Sequence, residues 1–177
     1  MRRPLRQPRG FLRDDSGAAV LEFGFVLPIM LVLFLGVVEM SNVLRLDRKV
    51  VDAAQTTADL VTQYRVVNNA QLNDILTAAE LIFEPFPPAP HSVGIAGIRF
   101  DDDTGDPVLD WTKNKNGGSV PNATTLATGL GGPGEGVVAV RVAYTYTPIF
   151  FNFIIGSTTF EETAILRPRR SYFVEGP

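Results

Sequence analysis

The run GAAVLEFGFVLPIMLVLFLGVVEM, Gly17 to Met40, decides how the rest of the chain is arranged. From Ala18 to Val38 all 21 residues are apolar, Gly or Pro except Glu22. At about 1.5 Å per residue such a helix covers roughly 31 Å, the thickness of a bilayer's hydrocarbon core. A small soluble domain has no use for a buried helix of that length, so residues 18–40 read as a transmembrane helix. A carboxylate at the bilayer centre costs about 2.5–3.5 kcal/mol, less toward an end. Glu22, the fifth residue of the run, therefore asks for a reason.

On the N-terminal side, residues 1–17 carry five Arg (Arg2, Arg3, Arg6, Arg9 and Arg13) against Asp14 and Asp15. Pro4, Pro8 and Gly10 break this basic leader, whose composition cannot bury a core. Its positive charge next to the apolar run places the N-terminus in the cytoplasm and residues 41–177 across the membrane. Asp47 and Asp52 offset Arg45, Arg48 and Lys49 on the far side. A cleaved secretory signal fits less well, because the apolar run is long and no A-x-A-like site follows it. Arg2-Arg3 hints at a twin-arginine signal, against which stand Pro4 and the length of the run.

The whole chain has net charge −3 and the leader +3, which leaves −6 for residues 18–177. An acidic body argues against nucleic acid, whose phosphates must be met by Lys and Arg. There is no cysteine, so disulfides, thiolate nucleophiles and Cys-ligated metals are excluded.

Beyond Met40 the helix continues. Val43, Leu46, Val50, Ala54, Ala58 and Val61 recur every three or four residues, with charged and amide groups on the other face. No Gly or Pro interrupts residues 44–67, so the spacing predicts one rod of roughly 50 residues, broken at Asn68-Asn69. A second helix follows with Leu72, Ile75, Leu76, Ala79, Ile82 and Phe83 on one face, ended by EPFPPAP (84–90).

The period then changes. Strands are expected at 93–100, 108–112, 136–147 and 158–166, which are rich in Val, Ile, Thr and Tyr. In VVAVRVAYTYT one face carries Val138, Val140, Val142, Tyr144 and Tyr146, a period of two that a helix cannot use. The expected fold is α+β, an antiparallel sheet of about four strands whose apolar face and the long helix bury one another.

Apparent sites dissolve on inspection. DDDTGDP (101–107) lacks the Gly and Glu positions of a calcium loop and suits a turn between strands. Gly129 to Gly134 matches G-x-G-x-x-G, but a strand follows it where a phosphate-binding helix is required. The single His91 has no Cys partners for zinc, and no G-x-S-x-G occurs. Glu161 and Glu162 would point to opposite faces of a strand. No catalytic residue, metal site or cofactor is expected, and Asn122-Ala-Thr is a chance-level glycosylation triplet. One run resists dismissal. PIFFNFIIG (148–156) reads first as a core-filling connection, and otherwise as an exposed apolar patch docking on a partner or the membrane surface.

A basic leader, a Gly, then an apolar helix with Glu at its fifth residue and Phe at its sixth resembles prepilins cut by a prepilin peptidase. DDSGAAVLEFGFVLPIMLVLFLGVVE is similar to the TadE-like minor pseudopilins of Tad (Flp-type) pilus systems. VRVAYTYTPIFF and ETAILRPR resemble that family's late strand pair and closing Arg. The resemblance covers 18–45 strongly and 137–168 loosely, and TadF and TadG proteins share the N-terminal motif. It implies cleavage between Gly17 and Ala18, no enzymatic activity, and a single-pass inner-membrane protein with a periplasmic domain. The partners it implies are membrane lipid, the prepilin peptidase, and other pilin-like subunits or Tad assembly proteins. It also gives Glu22 and Phe23 an assembly role. Cleavage would leave an α-amino group on Ala18, and Glu22 of one subunit could pair with that amine on another, setting axial register. Otherwise Glu22 snorkels to the nearby interface. Pro28 removes a backbone bond to Gly24 and permits a kink. The competing function is an unprocessed membrane-anchored periplasmic binding or scaffold module.

Overall fold

The computed structural model describes residues 16–87 and 91–177. Helix α1, Ser16–Thr62, is one rod of 47 residues. It runs through Pro28 as helix, and the basic leader lies outside the described residues. Helix α2 is Asn69–Leu81 and is followed by strands β1 (His91–Phe100) and β2 (Pro107–Lys115). A short α3 (Ala123–Ala127) precedes β3 (Gly136–Tyr146), and α4 (Asn152–Ile155) sits between β3 and β4 (Thr158–Leu166). The sheet is antiparallel in the order β2-β1-β3-β4, so the expected α+β class and four strands are present.

The two halves of α1 live in different surroundings. Gly17 to Phe34 are exposed at every position, whereas Leu46, Val50, Ala53, Ala54, Ala58 and Val61 are fully buried. This buried stripe has the helical spacing read from sequence, and its alanines let the rod lie close against the sheet. It meets Val138, Val140, Val142, Tyr144 and Tyr146 of β3, the face expected from the two-residue period, together with Leu72, Ile75 and Leu76 of α2.

The rod ends earlier than expected. No Gly or Pro stops it at Thr62. Instead the last turn tightens, Tyr64 N–H bonding to Val61 O at 3.2 Å, and the C-terminal segment takes over the free backbone groups. Arg169 N–H donates to Thr62 O at 3.1 Å and Glu175 N–H to Arg65 O at 2.9 Å. Asn68, the expected breaker, caps α2 with its side chain: Asn68 Oδ1 accepts from Gln71 N–H while Gln71 Oε1 accepts from Asn68 N–H.

A second core was not visible in the sequence. Ala96, Ile98, Phe100, Val137 and Ala139 on the sheet's other face are covered by Ala123 and Ala127 of α3. Both faces of β1 are therefore buried, which is why HSVGIAGIRF shows no alternation. β2 also extends to Lys115, past the Thr112 read from sequence, with a bulge where Gly97 faces Trp111 and Ile98 faces Leu109. Trp111 donates from Nε1 to Val174 O at 2.9 Å, pinning the C-terminal tail.

Candidate assembly and membrane-exit site

The residues singled out in the apolar run lie on the bare half of α1. Gly17, Ala18, Glu22, Phe23, Gly24 and Pro28 are all exposed. A shallow apolar groove is lined by Gly17, Val20, Leu21, Gly24 and Phe25. At about 100° per residue, Glu22 projects from a different face, roughly 140° round the helix from Gly17. Glu22 makes no ion pair among the described residues. Among the described residues one helix, Gly17–Thr62, is long and apolar enough to cross a membrane, and none of its most apolar stretch is buried. Its length and composition suggest single-pass membrane anchoring through this helix.

The residue that sequence reasoning missed is Glu39, directly after the apolar run. It is only 5% exposed, and Tyr146, at 5%, donates its hydroxyl to Glu39 Oε1. The backbone N–H of Ile149 lies 3.1 Å from both carboxylate oxygens, and that of Phe150 donates to Oε2 at 2.9 Å. Three donors, one from the end of β3 and two from the β3–β4 connection, thus converge on one carboxylate, a charge-assisted set stronger than neutral bonds. Burial of α1 begins at Leu35, a turn before Glu39, where Leu35, Gly36 and Val38 are half-buried. The only signal in sequence was a second acidic residue at the end of an apolar run.

Burial first, and then the Glu39 carboxylate, push the Tyr146 hydroxyl up to about 12, partly offset by Asn42. Burial also raises Tyr144, whose hydroxyl donates to Pro87 O at 2.7 Å. For a phenol a raised pKa means that the folded state holds the proton more tightly. That stability is complete below the ordinary tyrosine pKa of about 10 and is lost as pH rises toward 12. Urea midpoints of the full chain in detergent should therefore fall between about pH 10 and pH 12. Tyr146→Phe should show a shallower fall, with Tyr144 supplying the remainder. Equal slopes for the two proteins would exclude the Tyr146 contribution.

The motifs set aside in the sequence occupy the following places. Asp101 Oδ1 accepts from Thr104 N–H and Asp103 N–H, which hold its carboxyl below the usual range, and Gly105 turns the chain at φ +73°. Gly129 to Gly134 lead into a strand, with Gly131 packed under Phe100. His91 is buried against Phe83, with Nε2 3.5 Å from Glu80. Glu161 pairs with Arg141 while its neighbour Glu162 lines the groove toward α1. Among the described residues no group of three metal-ligating side chains occurs.

The reading of PIFFNFIIG as a core-filling connection is overturned. Ile149 is 67% exposed, Phe153 84%, Ile154 67% and Ile155 63%. The connection joins β3 to β4 as expected, but Glu39 holds it by its backbone, and apart from buried Pro148 and half-buried Phe151 its apolar side chains lie outside.

The family model described as TadE-like protein matches residues 17–59, the bare and buried halves of α1 up to its last turn. The match bears out the resemblance stated on the N-terminal residues; the looser likeness over 137–168 lies outside it. TadE-like proteins are a pilus-related structural family, so the match points to a Tad-pilus-associated chain. No curated protein and no solved structure matches.

Proposed function

We propose that this chain is a minor pseudopilin-like membrane protein needed for assembly or initiation of a Tad-type pilus. The observation that carries the reading is α1 itself, which matches the TadE-like model, is bare from Gly17 to Phe34, and is fixed to a folded domain from Glu39 onward. In this reading a prepilin peptidase cuts between Gly17 and Ala18, and the helix stays in the inner membrane with residues 41–177 in the periplasm. The bare stretch then packs against other pilin-like subunits or Tad assembly proteins. Pro28, which removes a backbone bond to Gly24, provides a point within the span where the rod can bend.

Processing tests the proposal. N-terminal sequencing of the membrane-derived protein from a peptidase-positive cell should begin at Ala18. A side chain added at Gly17 meets nothing within 4 Å, so Gly17→Leu leaves the fold intact. It should nevertheless abolish cleavage, because the protease must approach that backbone. An uncut wild-type chain would favour the anchored binding or scaffold module instead. Orientation follows from the five leader Arg. A phosphatase fused after Pro177 should be active, and activity only of a cytoplasmic reporter would reverse the topology.

A further inference from the structure

We propose that the connection from Pro148 to Gly156 is a second membrane anchor, inserting its apolar side chains into the lipid leaflet beside the point where α1 leaves the bilayer. The inference rests on α1 spanning the membrane, as read above.

Three observations fix the occupant as lipid. The first is depth. The N–H groups of Ile149 and Phe150 bond to Glu39, the residue that ends the apolar run, so this backbone sits at the height where the helix exits. Burial of α1 begins at Leu35, so the domain reaches one turn into the run, within hydrocarbon depth.

The second is chemistry. Ile149, Phe153, Ile154 and Ile155 are all more than half exposed, with Phe150 at 39%, and Asn152 is the one polar side chain among them. Such a cluster in water would be an aggregation liability, whereas beside a membrane span it continues the lipid-facing surface of α1. Gly156, at φ +72°, ends the short helix and turns the chain back to β4.

The third is charge. Arg45 and Arg48 are exposed on α1, with Asp47 exposed between them and Asp52 a turn beyond. The two arginines lie about 9 and 13 Å beyond Glu39 along the helix, where their long side chains reach back to the headgroup layer. The bilayer thus meets an apolar wedge at the depth of Glu39 and cations just above it. With two fixed points, α1 and the wedge, the domain is held in one orientation on the membrane.

The chain has no cysteine, so a single introduced one can carry a nitroxide label. The full chain with Phe153→Cys or Ile154→Cys would be reconstituted in phosphatidylethanolamine and phosphatidylglycerol vesicles. Collision with oxygen and with a water-soluble nickel chelate would then be compared. Val32→Cys marks the span, and Leu126→Cys on α3 is an exposed apolar position at the far end of the sheet. Labels at 153 and 154 should fall between positions 32 and 126, with nickel access several-fold below that at 126. Nickel access equal to position 126 would overturn the anchor. Protection seen only at high protein-to-lipid ratio would assign the wedge to a second copy and equally overturn it. An aqueous label at position 32 would overturn the spanning reading itself, a failure distinguishable from the first.

Discussion

Glu39→Leu is expected to destabilise the full chain by about 3–5 kcal/mol. The leucine is as bulky as the glutamate stem, so the loss does not come from a cavity. It comes from three donors left without an acceptor: the Tyr146 hydroxyl and the N–H groups of Ile149 and Phe150. Each buried donor stranded in this way costs about 1–3 kcal/mol, and relaxation of the connection recovers part of the sum. Trp111, the single tryptophan, reports the unfolding of the full chain in detergent. A protease that cuts after aromatic residues should clip the variant first at Phe150, Phe151 or Phe153. Glu39→Gln keeps one acceptor oxygen and should lose only about 1 kcal/mol. A Glu39→Leu midpoint equal to that of the wild type would mean that the carboxylate carries no structural role.

That Glu39 went unread in the sequence has a physical cause. Its partners lie more than 100 residues away, and periodicity reports only which face of an element is apolar, not what a lone polar group meets. The elements that were legible are those whose pattern is local. The stripe from Leu46 to Val61 and the alternation from Val138 to Tyr146 each name the face that is buried, and the two faces pack on each other. Where both faces are buried the alternation vanishes, as in β1, and the second core under α3 left no trace for that reason. The end of α1 was misplaced because backbone from residues 167–177 terminates it, with no breaker in its own sequence. The connection 148–156 failed for a related reason. Its composition says that water is disfavoured, but not whether protein or lipid replaces it.

The same limit applies to Glu22, whose partner, in the proposed reading, lies in another molecule. Glu22→Leu is expected to abolish pilus assembly while leaving insertion and processing at wild-type levels. Removing a carboxylate from the run makes the span more apolar, so membrane insertion can only improve. The side chain is exposed on the bare half of α1, and nothing in the domain touches it, so the fold is indifferent to the change. What the variant loses is an acceptor for a neighbour's charge. In the proposed reading the processed Ala18 amine, about one turn away along the helix, is the partner that cleavage would create. In a low-dielectric helix bundle an unpaired carboxylate is costly, so pairing favours the one axial stagger that brings the two groups together. Complementation would be scored by piliation and by co-purification with pilin-like subunits, beside an immunoblot for size and membrane fraction. Glu22→Asp, with a shorter reach, should restore assembly in part. Full piliation with correctly processed Glu22→Leu would show that the carboxylate merely reaches for the interface, and the register mechanism would be wrong.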